Sequence, residues 1–128
     1  MLHEIDARRG FDEAGAARIT ELETVRAFLT TFSATTVATV VGLDAERIVQ
    51  LALEFADAPT ASVHMSTGVN MGRQGALAYW LMHLLSLLTG NFDRKGGNIP
   101  STRGTDPAPA AAGSELESFI ASMSAQAA

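Results

Sequence analysis

The stretch TGVNMGRQGALAYWLMHLLSLLTGN, residues 67–91, decides how the rest of this chain is interpreted. It opens with three glycines, Gly68, Gly72 and Gly75, and continues into a helical pattern from Ala76 to Leu88 that is apolar on nearly every side. A helix without a polar face is normally surrounded by protein. The stretch therefore predicts a glycine loop followed by a buried helix, and that helix needs cover from other parts of the structure.

The composition is that of a globular domain and excludes several kinds of site. The chain has 128 residues, a net charge of -5 and no cysteine. An acidic chain lacks the broad positive surface that binds nucleic acid, so no nucleic-acid partner is expected. Without cysteine there are no disulfides, thiolate nucleophiles, iron–sulfur ligands or thiolate zinc sites. The scattered histidines His3, His64 and His83 do not have metal-ligand spacing, and we expect His83 to be a hydrogen-bonded core residue.

Two features bear on the location of the protein. The N-terminal residues carry charges and lack an apolar segment, so they do not form a secretory signal, and a cytoplasmic location is expected. The apolar run from Gly75 to Leu88 is shorter than the roughly 20 residues that cross a membrane, so no membrane span is predicted.

The remaining segments divide the chain into three parts. Residues 1–18 show no sustained hydrophobic periodicity and are predicted to lack regular structure. Residues 19–104 are predicted to form an α/β unit. Residues 105–128 are rich in Ala, Pro and Ser and are predicted to be a flexible, disordered tail. Thr20 and Glu23 have capping-box spacing at the start of one helix. Asp44 is the predicted N-cap of another, which ends before Pro59. Residues 33–41 suit either a strand or a short helix that Ser33 caps, and Gly42 ends it in both cases.

Residues 61–66, ASVHMS, alternate apolar and polar side chains and predict a β-strand. The fold class expected is therefore a mostly helical α/β fragment, with a strand, a glycine loop and a buried helix in sequence. Two amphipathic helices and one strand give too little cover for the apolar helix, and a lone strand leaves backbone groups unpaired. We expect the missing cover to come from another chain, from parts lost by truncation, or from a homo-oligomer.

The glycine loop has the chemistry of an anion site, but its spacing does not identify one. Glycines allow a ligand to approach the backbone closely, and a helix N-terminus with Arg73 nearby favours phosphate. The spacing G-x-x-x-G-x-x-G is neither the Rossmann nor the Walker pattern. The alternative is that these glycines only turn the chain tightly.

Three quoted segments together resemble the molybdopterin-dependent oxidoreductases of the dimethyl sulfoxide reductase and formate dehydrogenase superfamily. They are GLDAERIVQLALEFADAP, the stretch quoted above, and LLTGNFDRKGGNIPS. The resemblance implies a partial Rossmann-like domain whose two loops approach a molybdopterin guanine dinucleotide that carries Mo or W. It places Gly68, Asn70, Gly72 and Arg73 in the first loop, where this chain has Met71 at a position that is glutamine in many members. It places five residues in the second loop: Gly90, Asn91, Arg94, Gly96 and Gly97.

The resemblance also implies a function, and departures from the family pattern limit it. In the intact enzymes the cofactor supports two-electron, oxygen-atom or hydride transfer with a small substrate such as formate. Arg103 is similar to an arginine beside the metal, with one more residue between Pro100 and the arginine here. The family's cysteine cluster and metal-ligand region have no counterpart, so we expect a fragment that is inactive alone and works with the remaining part of the enzyme. The alternative function is a non-catalytic helical module that oligomerises through the apolar helix.

Overall fold

The computed structural model describes residues 1–99, and in these residues the protein is built from helices. A single turn of 3-10 helix, Thr30–Phe32, links the third and fourth α-helices. The α-helices are α1 (Leu2–Arg8), α2 (Glu13–Ala16), α3 (Leu22–Leu29), α4 (Ala34–Val41), α5 (Ala45–Asp57), α6 (Thr67–Asn70) and α7 (Gly75–Leu88).

The core forms where α1, α3 and α5 meet the C-terminal half of α7. Helix α1 packs against α3 and α5, α2 packs against α7, and α4 packs against α5. Helices α1, α3, α5 and α7 contribute apolar side chains at helical spacing, and their burial stabilises the fold. The core cluster consists of Leu2, Ile5, Ile19, Leu29, Ala52, Ala56, Leu84, Leu85, Leu87 and Leu88.

The predicted α/β fold class is wrong for the described part of the chain. Residues 61–66 form neither strand nor helix, and the β pairing within residues 1–99 is one isolated bridge between Phe92 and Asn98. The alternation itself is present, because Ala61, Val63 and Met65 are half-buried whereas the polar side chains between them are exposed. The backbone of this segment pairs with side-chain amides instead of a neighbouring strand, so a Rossmann-like strand unit does not form here.

The first 18 residues contain two helices, although their sequence predicts no regular structure. Leu2 and Ile5 lie in the core, and Ile5 is completely buried. Glu4 is also buried, and its carboxylate accepts hydrogen bonds from the Ala34 backbone N–H (2.8 Å) and from Arg8 (3.0 Å). Glu4 thereby accepts a hydrogen bond from an N–H that has no partner within α4. This contact holds α1 against the start of a helix that begins 30 residues later in the sequence.

The helix ends test the capping predictions. Residues 33–41 are helical because the Ser33 side chain accepts from the Thr36 N–H, and Gly42 ends α4 in the left-handed conformation. Asp44 is the N-cap of α5 by backbone conformation, although its side chain makes no capping bond. The Thr20–Glu23 capping box is wrong, since α3 begins after Glu21 and the Glu23 carboxylate pairs with Arg26 at 2.7 Å.

No single helix among residues 1–99 has both the length and the apolar composition of a membrane span. One pair meets both criteria together, residues 22–32 and 34–41, and the pair is bent by 58°. Residues 105–128, for which the sequence predicts a disordered tail, lie outside the described part of the chain.

The burial of α1 predicts a large loss of stability when its anchor is truncated. Ile5→Ala should lower the free energy of unfolding by about 2–5 kcal/mol, because it removes buried methylenes and leaves a cavity. Urea denaturation followed by circular dichroism measures this loss. The control Val40→Ala, at a side chain that is 90% exposed, should change stability by no more than about 0.5 kcal/mol. Equal effects of the two substitutions would show that α1 does not pack as described.

Glu4 predicts a dependence of stability on pH. Burial alone would raise the pKa of Glu4, but hydrogen bonds from the Ala34 N–H, Arg8 and His3 outweigh it and lower the pKa below its ordinary value of 4.5. A carboxylate whose pKa is lower in the folded state contributes stability above the unfolded pKa, and this is lost as pH falls through the folded pKa. Wild type should therefore lose stability below about pH 4.5, and Glu4→Gln should lose less over the same interval. Parallel urea titrations at pH 7 and pH 3.5 test this, and identical losses in both proteins would contradict it.

Candidate functional site

The first candidate loop, residues 67–74, is a short exposed structure in front of α7. It consists of α6 and a tight turn in which the Gly75 N–H donates to the Gly72 carbonyl (3.0 Å). A side chain at Gly75 would overlap the Asn70 carbonyl, so this glycine permits the close return of the chain to α7. By contrast, the space around Gly68 is open. The tight-turn explanation therefore holds for Gly75 but does not account for Gly68.

The side chains of the first loop are not committed to the rest of the structure. Gly68, Asn70, Gly72 and Arg73 are all exposed, and Met71 is 82% exposed. Arg73 forms no ion pair or side-chain hydrogen bond with another residue of the described 1–99. The loop thus has a solvent-exposed backbone and one arginine whose charge is not paired with another described residue.

The second candidate loop, residues 90–98, is held together from within. Gly90 adopts a φ of 70°, so the chain turns away from α7 through a left-handed glycine. Asn91 is 1% exposed, and its Nδ2 donates to the Thr89 hydroxyl (3.1 Å) and carbonyl (3.3 Å). Its Oδ1 accepts from the Ala61 backbone N–H at 3.0 Å. Both the oxygen and the nitrogen of the Asn91 side-chain amide therefore form hydrogen bonds within the protein.

Arg94, Gly96 and Gly97 also have partners within the protein. The Arg94 guanidinium donates to the Pro59 carbonyl (2.7 Å) and to the Gly90 carbonyl (3.3 Å). Gly96 has a φ of 83°, and a Cβ there would lie 2.9 Å from the Thr60 side chain. A Cβ on Gly97 would overlap the Asn91 carbonyl. These two positions thus require glycine for packing of the loop, whatever else the loop binds.

The two loops lie at opposite ends of α7. A helix of 14 residues is about 21 Å long, so a small ligand cannot contact both loops. Residues 59–66 run between them outside the helix, because Pro59 and Ala61 meet the second loop and Ser66 begins the first.

Helix α7 is unevenly covered along its length. Residues 84–88 are buried, but the preceding turns are only half-buried and Tyr79 is 40% exposed. Trp80, the chain's single tryptophan, is among the half-buried residues. Within the described residues, the chain thus covers the C-terminal half of α7 more completely than its N-terminal half.

His83 lies at the boundary between the covered and uncovered halves of α7. Its ring packs edge-on against Tyr79 (4.4 Å between centroids) and Phe92 (5.8 Å). Its Nδ1 is buried without a hydrogen-bond partner in the described structure, so the expected hydrogen-bonded core histidine is wrong in this respect. Burial lowers the pKa of His83 below its usual value.

Two further observations limit the site. No group of three or more His, Asp or Glu side chains among residues 1–99 could hold a metal ion. Arg103, which the resemblance places beside the metal, lies outside the described residues.

Comparisons with protein-family models, with curated proteins and with solved structures find no match for this chain.

Asn98 belongs to no motif that marks it in the sequence, yet its side chain makes three hydrogen bonds in this region. Its Oδ1 accepts from the Val63 N–H and the Ser86 hydroxyl, both at 2.9 Å, and its Nδ2 donates to the Val63 carbonyl at 2.7 Å. The only available signal was its position after the Gly96–Gly97 pair, in a loop where asparagine is common for many reasons.

The unpaired nitrogen of His83 predicts that an apolar ring will be tolerated better than histidine. His83→Phe preserves the edge-on ring contacts and removes a buried polar atom without a partner, so stability should rise by about 1 kcal/mol at pH 7. Thermal denaturation measures this change.

The lowered pKa of His83 adds a pH signature to the same test. The unfolded chain binds a proton below its pKa of about 6.5, whereas the folded chain does not until lower pH. Wild-type stability should therefore fall as pH drops from 7 to 5.5, and His83→Phe should show a smaller fall. A larger fall in the variant would show that His83 gains a partner on protonation.

Proposed function

We propose that this chain is part of the catalytic subunit of a molybdopterin-dependent oxidoreductase and presents its first loop to the cofactor. The proposal is supported by the resemblance of the loop and helix sequences and by one structural observation. That observation is the exposure of the first loop, where open backbone, an uncommitted arginine and the exposed side chains of Val69 and Met71 lie in front of the half-buried N-terminal turns of α7.

The two loops fit a molybdopterin guanine dinucleotide to different degrees. The first loop suits an anionic dinucleotide, because Gly68 leaves the backbone open and Arg73 supplies an available positive charge. In the second loop the side chains of Asn91 and Arg94 are occupied by the chain, so contact there would involve its exposed outer residues, Asp93, Lys95 and Gly96. The separation of about 21 Å between the loops suits an elongated ligand.

The residues of this chain bind and orient rather than react. When bound, the cofactor would supply a metal centre that exchanges two electrons, an oxygen atom or hydride with a small substrate, formate being one example. In this proposal Arg73 neutralises phosphate charge and the first loop contributes backbone N–H groups. Residues 67–83 pack against the remaining part of the enzyme, which excludes water from α7. The chain alone is then inactive.

A second candidate function is a helical module that self-associates without a cofactor. It is favoured by the same half-covered α7 and by a set of exposed apolar side chains elsewhere, on α3, α4 and the connections that follow them. This set comprises Phe28, Phe32, Val40, Val41 and Leu43. Two copies that covered these surfaces would need no further partner.

Titration with guanosine diphosphate, which contains the pyrophosphate and guanosine portion of the cofactor, tests the first proposal. Amide chemical shifts of the isotopically labelled chain should change at Gly68, Asn70, Gly72 and Arg73, with millimolar affinity. Arg73→Ala should weaken this binding by about tenfold, as expected for the loss of one charge-assisted contact. Arg47→Ala removes a half-exposed arginine of α5 and should leave the affinity unchanged.

Shifts that are absent from the first loop, or that are equal in Arg73→Ala, would contradict the cofactor proposal. Light scattering during size-exclusion chromatography, together with pterin and metal analysis, distinguishes the second candidate. A stable oligomer without pterin or metal, which dissociates when Val40, a 90% exposed side chain, is replaced by Glu, would favour self-association.

A further inference from the structure

The second loop contacts residues 59–63 at successive positions along that segment. Arg94 donates to the Pro59 carbonyl, Gly96 packs on the Thr60 side chain, and Asn91 accepts from the Ala61 N–H. Asn98 then pairs with both backbone groups of Val63. Contacts from one short loop thus follow four of five consecutive residues.

The side chain of Asn98 makes the hydrogen bonds to Val63 that a neighbouring strand would otherwise make. An amide side chain carries one acceptor and two donors, so it can pair with the N–H and the carbonyl of one residue as a strand would. Its oxygen also accepts from the Ser86 hydroxyl, which lies on the buried face of α7. The side chain of Asn98 therefore connects the centre of the core to Val63, and only three residues separate Val63 from the start of α6.

We propose that residues 90–98 act as a backbone clamp, and that Asn98 is the residue that positions the first loop. The clamp sets the path of residues 59–63, which fixes the point at which the chain enters residues 67–74 at the far end of α7. The role of the clamp in ligand binding rests on the proposed cofactor function, whereas its effect on the backbone does not. Asn91 and Arg94 then serve mainly to hold the chain, and the second loop influences a ligand at the first loop without touching it.

Hydrogen exchange of backbone amides tests the clamp directly. In Asn98→Ala, exchange of the Val63 amide should be at least about tenfold faster, because its acceptor and the link to Ser86 are lost, and amides of α6 should also exchange faster. Asn98→Asp keeps the shape and an acceptor but loses the donor to the Val63 carbonyl, so a smaller increase is expected. Ser86→Ala removes one anchor of Asn98 and should also give a smaller increase.

The control must separate local release from general destabilisation. Ile48→Val shortens a buried side chain of α5, a helix outside both the clamp and residues 59–63, and it should lower overall stability. At urea concentrations that match the free energies of unfolding, Ile48→Val should leave Val63 and α6 as protected as in wild type. Equal acceleration in Ile48→Val and Asn98→Ala, or no acceleration in Asn98→Ala, would overturn the clamp.

The consequence for ligand binding is measured separately. Asn98→Ala should weaken guanosine diphosphate binding at the first loop by about three- to tenfold, although Asn98 belongs to the other loop. If wild type binds no nucleotide, the cofactor proposal fails and the exchange data still decide the clamp. If wild type binds and Asn98→Ala binds equally well, the positioning role is wrong even where exchange is faster.

Discussion

The burial of residues 84–88, at the C-terminal end of α7, is the constraint on which the other parts of this structure depend. The Leu88 carbonyl accepts from the Asp12 N–H at 2.8 Å, and Gly15 packs against the Leu87 carbonyl, so α2 is fixed on this end of the helix. The same turn carries Ser86, which anchors Asn98. Helices α1, α3 and α5 complete the cluster around it. Because the packing is concentrated at one end, the opposite end of α7 is only half-buried within the described residues.

Local chemistry made part of this fold predictable from the sequence. The α5 helix follows from Asp44, from apolar residues at intervals of three and four, and from Pro59 beyond its end. Ser33 and Gly42 resolve the ambiguous valine-rich stretch, because their capping bonds favour helix over strand. In each case the deciding groups are within a few residues of the element they determine.

The features that were missed depend on partners distant in the sequence. Helix α1 has few apolar residues, and its buried Glu4 has one hydrogen-bond partner, the Ala34 N–H at the start of α4, that lies 30 residues away in the sequence. Residues 61–66 have the alternation of a strand and the matching pattern of burial. The hydrogen-bond partners of their backbone, however, are the side chains of Asn91 and Asn98. Alternation of apolar and polar residues does not show whether a backbone will pair with another strand or with side chains.

The candidate site was predictable in a similar, partial way. The sequence marked the positions of both loops, and the resemblance added Asn91 and Arg94 as residues of interest. The structure shows that these two side chains bind the chain itself, which spacing alone could not distinguish from binding a ligand. The sequence located the first loop but could not show that its side chains are exposed to solvent, since their exposure depends on how far the core extends along α7.

The uneven cover of α7 also gives the protein an intrinsic spectroscopic reporter. Trp80 is the sole indole in the chain, and it lies on the half-buried turns of the helix, five residues beyond Gly75, where the helix begins. The emission maximum of an indole moves to shorter wavelength when water is removed from around it. A molecule that docks over this end of the helix and removes water from the exposed part of Trp80 therefore shifts the intrinsic fluorescence to shorter wavelength.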